Sequence, residues 1–152
     1  MKRRDLIKSL GVTAGTIALS SVAEASIAAP IKKKKALKIA HITDVHIRPE
    51  HNAVARFKKC LEMIKKDKVD LILNGGDSIY AADYDNITKD RVEQQWACWN
   101  ESVQVVKGIP IHHVLGNHDM WWQGKDDELG GKVGVLKMLQ MEHNYYSFDK
   151  NG

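Results

Sequence analysis

Residues 37–152 alternate short apolar runs with longer amphipathic segments, and this alternation restricts the fold more than any other feature of the chain. Three apolar runs have the length of buried strands: 37–42, 69–73 and 111–115. Between them, the segments around 54–64 and 88–107 repeat apolar residues every three or four positions, as helices with one buried face do. Strands joined by crossover helices pair in parallel, so the pattern predicts an α/β fold with a mainly parallel sheet.

The boundaries of the later elements carry their own signals. Thr88 is the expected N-cap of the longest helix, and Gly108 with Pro110 ends it. A weaker helix is predicted around 131–141, followed by a strand at Tyr145–Phe148. The sequence then stops at Asn151-Gly152, a hairpin-turn signal with no returning strand after it. We therefore expect a chain cut in mid-hairpin, that is, either the N-terminal part of a longer enzyme or the product of a truncated gene.

Acidic, amide and imidazole side chains follow each of the three predicted strands. The strand ends continue as Asp44-Val45-His46, Gly75-Gly76-Asp77 and Gly116-Asn117-His118-Asp119. In parallel sheets ligands bind at the carboxyl ends of the strands, so these side chains are expected at one edge. Carboxylate, carboxamide and imidazole together suit Mn, Fe or Zn rather than Ca, which prefers oxygen ligands. The glycines before Asp77 and Asn117 let the backbone approach a ligand closely.

The order of the three blocks resembles the calcineurin-like metallophosphoesterase family, whose motifs read D-x-H, G-D and G-N-H-[DE]. The third block is the most specific, because its tetrapeptide arises by chance on the order of once in a thousand chains of this length. The resemblance implies a two-sheet α/β sandwich flanked by helices, of which residues 37–152 would be the front half, truncated at the C-terminus. For the intact family site it also implies two divalent metal ions (Mn, Fe or Zn), with one or none in this chain as the alternative. At least in the intact protein, it implies hydrolysis of a small-molecule phosphodiester or phosphomonoester.

The resemblance also assigns roles to individual residues. Asp44 and His46 would ligate the first metal, Asp77 would bridge both metals, and Asn117 would ligate the second. His118 would be the catalytic residue, which faces the phosphate and either stabilises its charge or protonates the leaving oxygen.

Two departures from the family pattern shape the expected function. Protein Ser/Thr phosphatases carry another Asp where this chain has Tyr80, and the third block ends in Asp119, expected to shape its loop. The chain therefore resembles the bacterial exported phosphohydrolases. The family's three downstream histidines, two of them in a G-H-x-H block, are absent from the 152 residues. An alternative function is thus a non-catalytic remnant that binds at most one metal ion or a partner.

The remaining histidines and the paired tryptophans have ordinary structural explanations. His41 is expected either in the core or behind the metal ligands. Of His112 and His113 at most one can face the site, with burial favoured. Trp121-Trp122 either lines a substrate pocket or packs a loop.

Residues 1–29 have the three-part layout of an export signal. Lys2-Arg3-Arg4 begins it, a mildly apolar run spans 10–22, and Ala23-Glu24-Ala25 offers a cleavage site. The paired arginines resemble the twin-arginine signal, which predicts export to the periplasm or beyond through the twin-arginine machinery. The apolar run is shorter than the roughly 20 residues that cross a bilayer, so no stable membrane anchor is expected. An uncleaved amphipathic helix is the alternative.

Charge is concentrated at the N-terminus. Eight of the 23 Lys and Arg residues lie in residues 1–35, four of them in the basic spacer at 30–36. Residues 36–152 keep 15 basic and 17 acidic side chains, so no nucleic-acid partner is expected. Cys60 and Cys98 are either free thiols or, in an oxidising compartment, a disulfide; their spacing does not decide.

Overall fold

A computed structural model describes residues 36–150 of the chain. The elements are β1 (Ile39–Ile42), α1 (Ala53–Lys66), β2 (Leu71–Asn74), α2 (Lys89–Val103), a 3-10 turn (Gln104–Val106), β3 (Ile111–His113) and α3 (Gly131–Met138). The predicted export signal lies outside the described residues. None of the helices between residues 36 and 150 has the length and apolar character needed to cross a membrane.

The three strands form one parallel sheet in the order β1-β2-β3, which confirms the predicted α/β class. Ile39 lies opposite Leu71, and Ile72 lies opposite Ile111. A helix follows each of the first two strands and returns the chain to the start of the next strand. All three strands therefore end at the same edge of the sheet, and the loops that follow them lie side by side there.

Helices α1 and α2 cover one face of the sheet. The core on this face joins strand and helix side chains: Ile42, Ile72, Phe57, Leu61, Val92, Trp96 and Trp99. The rings of Phe57 and Trp99 stack with their centroids 5.5 Å apart, which joins the two helices directly. His113 points to the same side, 6.3 Å from the Trp99 ring.

Capping and one buried amide fix α2 relative to the loop after β2. The Thr88 hydroxyl accepts a hydrogen bond from the Arg91 N–H at 3.3 Å, as an N-cap does, and Gly108 follows the helix at φ 98°. The buried side chain of Gln95 pairs with both backbone groups of Ala81, at 2.9 Å and 3.1 Å. This loop is therefore anchored on the helix layer.

The predicted strand at Tyr145–Phe148 is wrong. This segment forms no strand pairing and is instead held by its rings and by one hydroxyl. Phe148 stacks on His112 at 3.7 Å, and the Tyr146 hydroxyl donates to the His113 carbonyl at 3.0 Å. Aromatic residues favour strands through packing on a sheet surface, and here they pack without extending the ladder. His41 is exposed rather than in the core.

Trp121, Trp122 and the two cysteines all lie within the described residues, and they differ in burial. Trp121 is buried and packs against Gly124, so it supports the loop, whereas Trp122 is exposed. Cys60 is exposed on α1 and Cys98 is partly buried on α2, both as free thiols.

Candidate metal centre

Backbone hydrogen bonds join the loop after β1 to the loop after β2. The N–H groups of Asp44 and His46 donate to the carbonyls of Gly76 and Asp77, both at 3.1 Å. One residue further along, Ile47 pairs with the second loop in the manner of a parallel bridge. The two loops thus continue the pairing of their strands past the end of the sheet, and this fixes the first two motif blocks relative to each other.

Three polar residues of the first two motif blocks have left-handed backbone conformations. The φ values are 52° for Asp44, 48° for His46 and 52° for Asp77. Such conformations in non-glycine residues cost on the order of 1 kcal/mol or more each, and they cluster at functional sites. Here the hydrogen bonds between the loops hold the strained backbone.

Glycines allow the second and third blocks to touch. A Cβ atom at Gly76 would lie 2.7 Å from the backbone nitrogen of Gly116, and Gly76 itself has φ 98°. A Cβ atom at Gly116 would lie 2.0 Å from the Asp77 carboxylate oxygen Oδ1. Both glycines therefore serve the contact between the two loops, and a larger residue at Gly116 would displace Asp77.

The three blocks bring His46, Asp77 and His118 together. One ligand atom from each lies within 4.8 Å of the others, and this group could hold a metal ion. The ring centroids of His46 and His118 are 4.8 Å apart, and the two ring planes meet at 64°. Two imidazoles and one carboxylate fit a divalent transition metal. Two predicted metal ligands thus share a group with the predicted catalytic histidine.

Asp44, the other ligand expected from the first block, lies at the edge of this group. Its carboxylate oxygen Oδ1 is 3.7 Å from His46 Nε2, and the other oxygen accepts a hydrogen bond from the Thr43 hydroxyl at 2.6 Å. The hydroxyl lowers the pKa of Asp44 below its usual value, with a smaller contribution from His46. The carboxylate is therefore ionised and beside the first imidazole.

Asp83 organises the third block, and the sequence did not identify it. One of its oxygens accepts from the Asn117 amide at 3.0 Å, and the other lies 2.7 Å from His118 Nδ1. Burial raises the pKa of Asp83, but the hydrogen bonds from Asn117 and His118 outweigh it and lower the pKa below the usual value. Since Asn117 uses its amide nitrogen here, its carbonyl oxygen remains available to a ligand.

The side chain of Asp119 connects the third block to the residues that follow the second block. Its carboxylate, 1% exposed, accepts from the N–H groups of Ser78 at 2.7 Å, Ile79 at 3.2 Å and Gly116 at 3.0 Å. Burial raises its pKa against these hydrogen bonds. The residue shapes the loop, as expected from the sequence. Its neighbour His118 donates its backbone N–H to the Asp77 side chain at 3.0 Å.

Comparison with known proteins points to one family. The family model for calcineurin-like phosphoesterases matches residues 37–151, which is three quarters of the chain. Among solved structures, a dimetal phosphatase from Danio rerio is similar at 15% identity with a TM-score of 0.49. The alignment covers 66% of this chain but only 35% of that phosphatase, so this chain spans about a third of its length. No curated protein sequence matches the chain.

Proposed function

Because this chain belongs to the calcineurin-like phosphoesterase family, we propose that it hydrolyses phosphate esters with divalent metal ions bound at the candidate metal centre. The observation that supports this most is that two proposed ligands, His46 and Asp77, converge with the proposed proton donor, His118, from three different strand ends. Both phosphomonoesters and phosphodiesters are proposed substrates, in the form of small molecules.

The proposed ligands divide between two ions, each Mn, Fe or Zn. Asp44 and His46 hold the first, Asp77 is shared, and Asn117 holds the second through its carbonyl oxygen. Divalent ions in such a site neutralise the phosphate charge and make a bound water acidic enough to attack near neutral pH. The hydrogen bonds around Asp77 and Asn117 keep these two side chains in place before any ion binds.

His118 handles the proton on the leaving group in this proposal. With Nδ1 directed at Asp83, its Nε2 is the atom that can reach a substrate. The Asp83 carboxylate orients the ring through Nδ1, and an Nε2–H group would then donate its proton to the leaving oxygen.

The test is hydrolysis of p-nitrophenyl phosphate and bis-p-nitrophenyl phosphate by the 152-residue chain with added Mn²⁺. Asp77→Asn should abolish metal-dependent turnover, and His118→Ala should reduce it by 10²-fold or more. Asp85→Asn is the matched control, because Asp85 is an exposed carboxylate in the same loop as Asp83. Equal turnover by the parent and Asp77→Asn would refute the proposal. Metal binding without any turnover by the parent would favour the non-catalytic alternative.

We also propose that the chain is exported through the twin-arginine machinery. Support comes from the sequence of residues 1–29 alone, with paired Arg3 and Arg4 ahead of a weakly apolar run. Replacing both arginines by lysine should leave the precursor in the cytoplasm, as measured by cell fractionation. Export of the double variant at the parent's level would show that the twin-arginine interpretation is wrong.

A further inference from the structure

Two tyrosines form an aromatic group beside the candidate metal centre. The Tyr84 ring centroid lies 5.8 Å from that of His118, and the Tyr80 ring lies 6.0 Å from Tyr84 and 6.3 Å from His46. Tyr84 is 49% exposed, so much of its ring is open to a ligand. The exposed Tyr84 ring therefore lies next to His118, the residue that protonates the leaving group in the proposed function.

The loop that carries these rings is held firmly. Ala82 donates its N–H to the carbonyl of His118 at 2.8 Å, and Gln95 pairs with both backbone groups of Ala81. Asp83, directly before Tyr84, holds the His118 imidazole. The ring of Tyr84 is thus attached to the backbone that positions His118, so its exposure does not come from a loosely held loop.

The cationic side chain of Arg48 also contacts the tyrosine pair, through Tyr80. Its guanidinium carbon lies 4.0 Å from the centre of the Tyr80 ring. No carboxylate between residues 36 and 150 forms an ion pair with it. Stacked guanidinium and phenol groups bind planar ligands well, because a second flat ring can join the stack.

We propose that Tyr84, supported by Tyr80 and Arg48, binds a planar aromatic group on the ester being hydrolysed. This proposal rests on the proposed function and names its substrate class, namely aromatic rather than aliphatic phosphate esters. The aromatic group is either the base of a nucleotide or a simple aryl ring, since both present the same flat surface to the tyrosine.

The test measures binding rather than turnover. Calorimetric titration of the 152-residue chain with Mn²⁺ compares adenosine 5′-monophosphate and phenyl phosphate with glycerol 3-phosphate. The parent should bind both aromatic esters more tightly than the aliphatic one. Tyr84→Leu should reduce that preference about tenfold, and Tyr84→Phe should keep it, because stacking needs the ring and not the hydroxyl. Tyr145→Leu is the control, since Tyr145 is an exposed ring that contacts His143 instead.

The outcomes separate this inference from the proposed function. Tighter binding of the nucleotide than of phenyl phosphate supports the aromatic subsite and identifies the base of a nucleotide as its ligand. Equal preference for both over glycerol 3-phosphate supports the subsite and identifies a simple aryl ring as sufficient. Manganese-dependent binding of all three esters with no preference, or a preference that Tyr84→Leu leaves intact, overturns the aromatic subsite alone. No manganese-dependent binding of any ester overturns the proposed function and the subsite together.

Discussion

Asp83 shows how much one side chain can do at this site. Its two oxygens hold the amide of Asn117 and the imidazole of His118, which are a proposed ligand and the proposed catalytic group. It touches neither metal nor substrate in the proposal, so it is a positioning residue. Partners of this kind typically contribute 10–100-fold to metal affinity or activity.

Asp83→Ala is therefore expected to weaken Mn²⁺ binding and to lower turnover, each by about 10–100-fold, while the circular dichroism spectrum stays unchanged. Asp83→Asn should recover part of the metal affinity, because its carbonyl oxygen can still accept the Asn117 amide. Asp85→Asn, in the same loop, should behave as the parent. Parent-like affinity and turnover in Asp83→Ala would show that the two contacts do not position the site.

His113 makes the stability of the fold depend on pH. Burial, together with the charge of His112, lowers the pKa of His113 from the usual 6.5 to about 4. The imidazole lies 3.1 Å from the Asn74 amide on the helix-covered face. Between pH 6.5 and about pH 4, this histidine is protonated in the unfolded chain but not in the folded chain. The free energy of unfolding therefore falls as the pH decreases through this range.

The expected loss is about 3 kcal/mol of unfolding free energy between pH 7 and pH 4, as an upper estimate from the pKa difference. Urea denaturation at the two pH values measures it. His113→Gln removes the titrating group, so its stability should change less over the same interval. An identical pH dependence in the parent and His113→Gln would contradict the assignment.

At the scale of elements, the loops after β2 and β3 are in contact because residue 116 has no side chain. A Cβ atom there would overlap the Asp77 carboxylate, so Gly116→Ala must push that carboxylate away from His46 and His118. We expect Gly116→Ala to lose Mn²⁺ binding, as measured by calorimetry.

Gly108→Ala provides the control for this prediction. Gly108 has φ 98° and no heavy atom within 4 Å of a built Cβ, so the substitution costs backbone strain of about 1 kcal/mol and leaves the site alone. It should lower the melting temperature and keep Mn²⁺ affinity. If Gly116→Ala retains the parent's Mn²⁺ affinity, metal binding does not require the Asp77 carboxylate in the position seen in the structure.

The sequence predicted the parallel sheet, its helices and the meeting of the three strand ends, because each of these follows from local periodicity and chain connectivity. It missed Asp83, because no spacing rule links a turn residue to a histidine 35 positions later. It also assigned a strand to Tyr145–Phe148, because a short run rich in aromatic residues looks the same whether it pairs through the backbone or only packs its rings. Both misses concern contacts between distant parts of the chain.

The whole described chain contributes to the candidate metal centre, because the ends of all three strands meet there. The helix layer, the anchored loop at Ala81 and the buried Asp119 carboxylate all act to keep these ends together. Each block supplies one of the three grouped side chains, so the site exists only when the sheet is formed. Metal binding and folding should therefore be linked.

The most direct test is the amount of Mn²⁺ held by the purified 152-residue chain, measured by calorimetric titration for the parent and for Asp77→Asn. We predict that the parent binds at least one ion and that Asp77→Asn binds none with comparable affinity, with unchanged circular dichroism. Manganese should also raise the parent's melting temperature but not the variant's. Equal binding by both proteins, or no binding by the folded parent, would contradict the account.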